Sequence, residues 1–480
     1  MRAIFNRLVL AGTVLAGLLS SCGEDRSGEY YALITTKTWI YNVMQENYLF
    51  YEDIPSEDEL DFFDSPQDFL SSAASSKDKK NGVLFSHVDS IATGSRATST
   101  YPCFGFEAAL VRTTEGTNTM RILYVQPDSP AKEAGLKRGD WVIAVDGEEI
   151  SQSSYYEDYI ERPSGAHTFT LGKYNPYVEI PDDGTAEDDY NYAEFDTIGV
   201  VQLPAPRYVE EQDVLEAKPI EVSSHNVLYI LYNEFGENAD AVESIFTQYA
   251  GQFSDIILDL RYNPGGYVST SQVISTLLAP QSAMGQPFLN MTYNDKINKT
   301  ETLLFDPSLL STGTPAQYNN LYVITSGNTA SASEIVINCL RPYINGRLIQ
   351  VGAPTFGKNV AQQLFTDTNS PNIELWLTTT YLSNSQGYYE YYEDGLLPDF
   401  EIEENLGEDL GEFGTPGDSL LAPVFYHIAN GSFPVTEVPG EGSSNTGSSL
   451  SSRNGHGSFA GKCKIIDNSI NHRLKLNLLN

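Results

Sequence analysis

The stretch between residues 321 and 363 constrains the fold of this chain more than any other part of its sequence. An apolar run from Leu321 to Ile324 predicts a buried strand, and a polar turn over 325–329 follows it. Small residues then lead into a predicted helix from Glu334 to Leu340, and a second apolar strand spans Leu348 to Val351. This order predicts a βαβ unit. Its turn places a serine hydroxyl at a helix N-terminus, where free backbone N–H groups can stabilise an oxyanion.

A nucleophilic serine in this turn needs a base, and the sequence offers a lysine instead of a histidine. None of the 6 histidines lies between Ser331 and Gln363, whereas Lys358 follows the second strand. A lysine acts as a base only when neutral, so burial must lower its pKa from about 10.4 to roughly 7–8. Gln362 is four residues beyond Lys358, and a helical turn would bring its amide to the lysine nitrogen. These residues predict a Ser–Lys pair with an orienting glutamine.

Two motifs in this stretch resemble those of a known family. Thr329-Ala-Ser-Ala-Ser-Glu334 and Thr355-Phe-Gly-Lys-Asn-Val-Ala-Gln-Gln363 are similar to the motifs of C-terminal processing (tail-specific) proteases. The resemblance implies a serine endopeptidase in which Ser331 is the nucleophile, Lys358 the base and Gln362 its assisting residue. Ser333 stays a weaker candidate nucleophile, since it could instead cap the helix.

The chain departs from the family pattern at two points. Asn359 follows the lysine where the family usually has glycine, and the stretch from Ser331 to Lys358 is slightly longer than usual. The added residues fall near Arg341–Asn345, in a predicted loop after the helix. We expect both departures to leave the chemistry intact.

A second strand and turn supply candidates for the oxyanion hole. The run Asp255-Ile-Ile-Leu-Asp-Leu-Arg-Tyr-Asn-Pro-Gly-Gly-Tyr267 ends in two glycines, which permit positive φ and close backbone approach. It resembles the family's Asp-Leu-Arg-x-Asn-x-Gly-Gly motif, whose glycine amide completes the oxyanion hole. That amide is implied to be Gly265 or Gly266, with Gly266 favoured, and the backbone N–H of Ala332 is implied as the other donor.

Capping and turn signals follow one another within residues 100–178. Ser129-Pro130-Ala131 predicts a capped short helix, Gly135 ends it, and the Gly139-Asp140 turn leads into a strand. This pattern resembles a PDZ domain. PDZ domains bind a peptide C-terminus as an added edge strand, with backbone N–H groups holding the carboxylate. The resemblance implies that Phe104, Gly105 and Phe106 form this peptide-binding loop. A PDZ domain that only docks and gates the protease is the alternative.

Residues 1–22 predict a targeting segment. Arg2 and Arg7 precede an apolar stretch from Leu8 to Leu19 that is too short for a permanent membrane span. Its end at Cys22 resembles a bacterial lipobox, which implies a lipid anchor at this cysteine; an ordinary signal peptide with a chance cysteine is the alternative. The acidic pair in Gly23-Glu-Asp25 resembles the surface-export signal of Bacteroidetes lipoproteins. We therefore expect an extracytoplasmic, membrane-anchored protein, on the outer membrane and exposed at the surface.

The charge and cysteine content of the chain limit the kinds of binding partner to expect. A net charge of −36 argues against nucleic-acid binding and suits an extracytoplasmic surface. Cys103, Cys339 and Cys463 show no metal-binding spacing, so we expect neither a metal site nor a cofactor. The expected partners are polypeptides with exposed C-termini and, through Cys22, a membrane. A homo-oligomer or an adaptor lipoprotein stays open.

The predicted fold class is multidomain, α+β with an α/β protease domain of the crotonase-like ββα type. The domains are a signal segment (1–22), an N-terminal helical region (28–95), the PDZ domain (100–178), the protease domain (190–430) and a low-complexity, disordered tail (434–480). The leading function is endoproteolysis of unstructured or C-terminally exposed polypeptides in the cell envelope. A catalytically silent, peptide-binding surface lipoprotein is the alternative, and an enzyme acting on a non-peptide ester also fits the residues.

Overall fold

The computed structural model describes residues 27–90, 102–113, 117–161, 163–175, 194–435 and 463–468. The predicted signal segment 1–22 and the lipidation candidate Cys22 lie outside these residues, as does most of the predicted tail. Among the helices in the described ranges, none combines the length and apolar character needed to cross a membrane.

The described chain contains both helices and strands, with several runs of consecutive strands. The helices are α1 (Ser27–Asn47), α2 (Pro66–Ala73), α3 (Pro130–Glu133), α4 (Gln152–Ser154, continued by π-helical turns over Tyr155–Glu161), α5 (Asp240–Gln248), α6 (Val268–Leu278), α7 (Ala332–Leu340) and α8 (Ala422–Asn430). The strands are β1 (Lys79–Lys80), β2 (Val83–Leu84), β3 (His87–Ser90), β4 (Phe106–Thr113), β5 (Asn118–Val125), β6 (Trp141–Val145), β7 (His167–Asn175), β8 (Glu194–Leu203), β9 (Val214–Val222), β10 (His225–Tyr232), β11 (Asp255–Asp259), β12 (Pro287–Tyr293), β13 (Thr300–Leu304), β14 (Leu321–Thr325), β15 (Leu348–Gly352), β16 (Val360–Asp367), β17 (Ser370–Ser383), β18 (Phe400–Glu401) and β19 (Cys463–Asn468).

A mostly parallel sheet carries the candidate site. Its order is β18-β15-β14-β11-β10-β9, and every neighbouring pair is parallel except β10 with β9. The predicted βαβ unit is confirmed as β14, α7 and β15, although α7 begins at Ala332 and not at Glu334. Both faces of β10, β11 and β14 are buried, which explains their nearly continuous apolar runs. The loops after β11 and β14 therefore meet at the carboxyl edge of the sheet.

The N-terminal segment packs directly onto the domain that carries the candidate site. A second, antiparallel sheet has the order β13-β12-β17-β16, and β3 of the N-terminal segment pairs with β17. Ile40 and Met44 of α1 share one apolar core with Phe356 and Val360, which flank Lys358. The predicted helices of the region are confirmed, and Ser65 caps α2 by accepting a hydrogen bond from the Asp68 N–H.

One stretch of this segment differs from its prediction. The polar run over 75–82 predicts a loop, but it forms a 3₁₀ turn and strand β1, and Asp78 within it is fully buried. The local sequence cannot reveal this burial, because two of the side chains that contact Asp78, Tyr48 and Thr378, lie 30 and 300 residues away. The burial of the Asp78 carboxylate bears directly on the candidate site.

The PDZ-like sheet is antiparallel, with the order β19-β4-β5-β6-β7-β8. The predicted cap of α3 is present, since the Ser129 side chain accepts from the Lys132 N–H. Between residues 174 and 196 the sequence allows a linker or a hairpin; β7 and β8 pair there, with Tyr174 opposite Phe195, as the arms of a hairpin. Within the predicted tail, residues 463–468 form β19, so this part of the disorder prediction is wrong.

Candidate active site

The turn that carries Ser331 is fastened to the loop after β11. Thr329 Oγ1 donates a hydrogen bond of 2.8 Å to the Leu260 carbonyl and accepts one of 2.9 Å from the Ser326 N–H. The Ala330 N–H donates to the Asn263 carbonyl at 3.2 Å. These bonds explain why a small-residue turn, with little side-chain packing of its own, holds one conformation.

Ser331 itself occupies a strained backbone position. Its φ of 54° and ψ of −115° place a non-glycine residue in the region of positive φ. Such conformations cost on the order of 1–3 kcal/mol and persist only where surrounding structure imposes them. The residue stands directly before Ala332, the first residue of α7, so its hydroxyl lies at a helix N-terminus.

The glycine pair after β11 lies against this N-terminus. A Cβ added to Gly265 would come within 2.7 Å of Ser331 Cβ and 3.0 Å of the Ala332 nitrogen, so no larger residue fits. The Gly265 N–H donates to Asn263 Oδ1 at 2.9 Å, whereas the Gly266 N–H has no partner among the described residues. Of the two predicted alternatives, Gly266 is thus the glycine with an uncommitted amide.

Glu334, one turn into α7, ties the serine turn to the lysine loop. Its Oε2 accepts hydrogen bonds of 2.8 Å from both the Ser331 N–H and the Lys358 N–H. The two backbone nitrogens therefore lie within twice that distance of each other. The other oxygen, Oε1, accepts from the Gly357 N–H and from Thr355 Oγ1, each at 2.6 Å. Burial raises the pKa of Glu334, and the four donors act against that rise.

Lys358 is buried, with 2 % of its surface exposed. Loss of solvation lowers the pKa of its ammonium to about 8, although the charges of Asp78 and Glu334 act in the opposite direction. Its Nζ also lies 5.5 Å from the centre of the Phe85 ring. Burial, which a lysine base requires, is thus the cause of the lowered pKa of Lys358 in the structure.

Gln362 does not lie on a helical turn with Lys358, so that part of the prediction is wrong. It belongs to strand β16, which begins at Val360 and pairs with β17. Extended backbone forms here because β17 offers a long antiparallel partner, which four residues of local sequence cannot show. The Gln362 amide donates to Thr378 Oγ1 on β17 at 3.0 Å.

Thr378 links Gln362 to Asp78 by hydrogen bonds. Asp78 was not among the residues predicted from the sequence. The Thr378 hydroxyl donates to Asp78 Oδ1 at 2.5 Å, and Tyr48 Oη donates to Asp78 Oδ2 at 3.0 Å. Ser86 Oγ is a third donor to this carboxylate. Burial raises the pKa of Asp78 to about 6 despite these bonds and the charge of Lys358. No spacing or motif in the sequence marks this residue.

Three other positions singled out in the sequence have defined structural surroundings. Ser333 is fully buried, and its hydroxyl donates to the Asn263 carbonyl at 3.2 Å. Asn359, where the family usually has glycine, donates from Nδ2 to the Tyr389 carbonyl at 2.7 Å. The added residues near Arg341–Asn345 lie between the end of α7 and the start of β15, as predicted for a loop.

A buried ion cluster supports the glycine loop from below. Arg261 is fully buried and pairs with Asp259 at 2.7 Å, Asp418 at 2.8 Å and Glu404 at 2.9 Å. Glu404 also pairs with Arg138 of the PDZ-like domain. The carboxylates compensate the charge of Arg261, which would otherwise be costly to bury. The cluster thereby joins the PDZ-like domain to the segment that carries Gly265 and Gly266.

The predicted peptide-binding loop lies at the start of β4. The side chains of Phe104 and Phe106 are part of the domain's apolar core. Gly105 has a φ of 74°, and an added Cβ would lie 2.3 Å from Ser129 Cβ, so glycine is required. The outer edge of β4 is paired with β19 in antiparallel register, from Cys463 opposite Thr113 to Asn468 opposite Ala109.

Metal chemistry has no candidate in the described part of the chain. There, no group of three or more His, Cys, Asp or Glu side chains is arranged to hold an ion.

Family models match three separate parts of the chain. Residues 226–402 match the peptidase family S41, residues 35–87 match the peptidase S41 N-terminal domain, and residues 121–171 match a PDZ domain.

Named relatives are similar over much of the chain. It is 28% identical over 305 residues to a carboxyl-terminal-processing protease of Synechocystis sp., covering 63% of each sequence. It is 26% identical over 316 residues to a carboxy-terminal-processing protease of Bartonella bacilliformis, covering 65% of each. These alignments span less than two thirds of the relatives' length.

A solved structure agrees with the fold. A crystal structure described as a candidate S41 protease from Bacteroides fragilis superposes with a TM-score of 0.69 at 29% identity, covering 82% of this chain and 97% of that one. The matches to the S41 N-terminal domain, the PDZ domain and the peptidase family lead to one conclusion: this chain contains a serine peptidase domain of family S41 over residues 226–402.

Proposed function

We propose that this chain is an endopeptidase in which Ser331 Oγ attacks the peptide carbonyl while Lys358 Nζ accepts the hydroxyl proton. The C–O bond forms as the carbonyl π bond opens, and the oxyanion is held by the N–H groups of Gly266 and Ala332. The Lys358 ammonium then returns the proton to the leaving amine, the C–N bond breaks, and an acyl-serine remains. Water, activated by neutral Lys358, releases the new C-terminus.

The arrangement around Glu334 is the observation that carries the proposal. Its carboxylate holds the backbone of a strained serine and that of a buried lysine on the same oxygen. Burial brings the pKa of Lys358 to about 8, within the range in which a lysine can serve as a general base. A protein that only bound peptides would gain nothing from this costly combination.

The test is cleavage of an unstructured polypeptide with an apolar C-terminus by protein lacking residues 1–22. We expect the parent to cut it, and Ser331→Ala and Lys358→Ala each to lose at least about a hundredfold in kcat/KM. Ser333→Ala is the matched control and should retain activity.

Other outcomes identify the alternatives. Equal cleavage by parent, Ser331→Ala and Lys358→Ala would remove the Ser–Lys assignment. Tail binding without cleavage by any variant would favour the silent binding protein. Turnover of a small ester with no turnover of peptides would favour an esterase.

We further propose that the PDZ domain presents or gates substrate tails. The buried Phe104 and Phe106 side chains fix the loop around Gly105 at the start of β4, which supports a backbone site for a terminal carboxylate. Amidation of the substrate's C-terminus should then weaken cleavage while a scrambled interior leaves it unchanged. Equal cleavage of acid and amide forms would leave the domain a purely structural role.

For location, we propose an extracytoplasmic protein anchored by lipid at Cys22. The support is the sequence of residues 1–22 and the acidic surface charge. The full chain should incorporate labelled fatty acid and fractionate with membranes, and Cys22→Ala should do neither. Protease treatment of intact cells would then report whether the anchored protein faces outward.

A further inference from the structure

Asp78, a carboxylate of the N-terminal domain, interacts with Lys358 and is linked through Thr378 to Gln362. Asp78 is fully buried, in the 3₁₀ turn before β1, and its backbone carbonyl accepts from the Phe85 N–H at 2.9 Å. Phe85 in turn places its ring 5.5 Å from Lys358 Nζ. Packing of the N-terminal domain against the catalytic domain therefore brings the Asp78 carboxylate into the buried surroundings of Lys358, here called the lysine pocket.

The hydrogen bonds to the Asp78 carboxylate come from three separate parts of the chain, of which only Ser86 is near in sequence. Tyr48 follows α1, Ser86 lies between β2 and β3, and Thr378 belongs to β17. All three donate to the carboxylate, which favours its ionised form. A buried charge that is this fully bonded is expensive to assemble, and the apolar core around it needs no such group.

Thr378 connects this carboxylate to Gln362. Its hydroxyl has one proton, which goes to Asp78 Oδ1, so its lone pair is left to accept from the Gln362 amide. The direction of both bonds is thus set by the negative charge at Asp78. Gln362 is oriented from behind in the same way that an aspartate orients the base of a serine triad.

We propose that Asp78 is a positioning residue for catalysis, holding Gln362 through Thr378 and stabilising the Lys358 ammonium that forms when Ser331 loses its proton. This inference rests on the peptidase function proposed above. It also gives the N-terminal domain a catalytic consequence, because the carboxylate is present in the pocket only when that domain is docked.

The pH dependence follows from the charges that face the lysine. Asp78 and Glu334 both favour the ammonium form of Lys358, against the burial that disfavours it. The titratable neighbours of the two carboxylates are Tyr48 and Tyr392 beside Asp78, and Lys80 and Tyr391 beside Glu334. Removing the charge at Asp78 lowers the pKa of Lys358, so the base becomes neutral at lower pH but also weaker.

The experiment compares pH profiles of kcat/KM for the full chain, Asp78→Asn and Tyr48→Phe. The parent should rise with pH about a midpoint near 8, and Asp78→Asn should rise about one pH unit or more lower, with a plateau kcat reduced at least about tenfold and KM little changed. Tyr48→Phe disturbs the same pocket but keeps the charge, so its midpoint should stay with the parent.

A second measurement does not depend on turnover. In protein containing ¹³Cε-lysine, the Lys358 signal is the one absent from Lys358→Ala, and its titration midpoint should fall in Asp78→Asn. If the peptidase proposal fails, no variant cuts, yet this midpoint still decides the role of Asp78. An unmoved midpoint in folded Asp78→Asn, or an equal change in Tyr48→Phe, overturns the inference.

Should Asp78→Asn fail to fold, Thr378 supplies the matched pair. Thr378→Ser keeps the hydroxyl and should hold kcat within about twofold, whereas Thr378→Val keeps the shape and should lose about tenfold. Equal kcat for the two variants would contradict the link from Gln362 to Asp78.

Discussion

Lys358 and Ser331 are both held in states that a free residue would avoid. Burial moves the lysine toward its neutral form, and the positive φ of Ser331 costs conformational energy. Neither state follows from the residue's own preference. Burial among apolar neighbours such as Phe85 and Phe356 imposes the state of the lysine. Glu334 and the glycine loop hold the serine backbone in its strained conformation. Strain and desolvation at one place are typical of a site where stability is given up for reactivity.

Gly265 allows a sharp test at the residue scale. In Gly265→Ala the new methyl group would lie 2.7 Å from Ser331 Cβ, at a φ of 111° that alanine disfavours. We expect loss of nearly all cleavage and a fall of about 1–3 kcal/mol or more in the free energy of unfolding. Activity assays and urea denaturation measure the two effects.

Gly285→Ala is the matched control for this change. Gly285 also has positive φ, at 78°, but nothing lies within 4 Å of an added Cβ. It should lose roughly 1 kcal/mol of stability and keep full activity. If both variants retained activity, the close approach of the glycine loop to Ser331 would have no catalytic importance.

At the scale of elements, β19 occupies the edge of the PDZ-domain sheet by pairing with β4. An edge strand offers unpaired backbone groups to any extended segment, and the chain itself supplies that segment here. Its backbone runs along β4 from Thr113 toward Ala109, which is toward the loop at Phe106. In the tail-presenting role proposed for this domain, a peptide approaching the same loop would need this edge.

We therefore expect the tail strand and peptide ligands to compete. A chain ending at residue 435 should bind a peptide with a free C-terminus more tightly than the full chain, by about tenfold, because no pairing with β19 must be broken. Fluorescence anisotropy measures the affinity. Ile465→Pro, which removes one backbone donor without shortening the chain, should have a smaller effect in the same direction. Unchanged affinity in both would exclude competition.

At the scale of the whole molecule, a buried ion cluster joins the PDZ domain to the catalytic domain. Glu404 contacts Arg138 of the PDZ domain and Arg261 of the catalytic domain. Burial alone would raise the pKa of Glu404, but these two arginines outweigh burial and lower it to about 2. The carboxylate consequently contributes stability that is fully present above its ordinary pKa and is lost as pH falls toward 2.

Glu404→Gln should remove this contribution. We expect the free energy of unfolding at pH 7 to fall by about 3 kcal/mol or more, since two buried arginines lose a partner. The deficit relative to the parent should shrink between about pH 4.5 and 2, where the parent protonates its own carboxylate. Urea titrations across this range measure it. Glu408→Gln, on the same segment, is the control and should match the parent. A deficit that stayed constant with pH would contradict the electrostatic origin.

Local sequence was sufficient to predict elements that depend on neighbouring residues alone. The βαβ unit, the Ser129 cap and the helices of the N-terminal segment follow from apolar periodicity and capping residues. The peptidase family and the PDZ domain also follow from short motifs, and both are confirmed. The roles of Ser331, Lys358 and Gln362 stay predictions until they are measured.

The sequence by itself determined the order of the motifs, the parallel core strands and the identity of a serine and a lysine near one turn. Only the tertiary structure decided that Gln362 lies on a strand, that β19 closes the edge of β4 and that Asp78 reaches the lysine pocket. The physical reason is common to all three. Strand pairing and charge burial depend on partners distant in sequence, and a local pattern contains no information about where those partners will be.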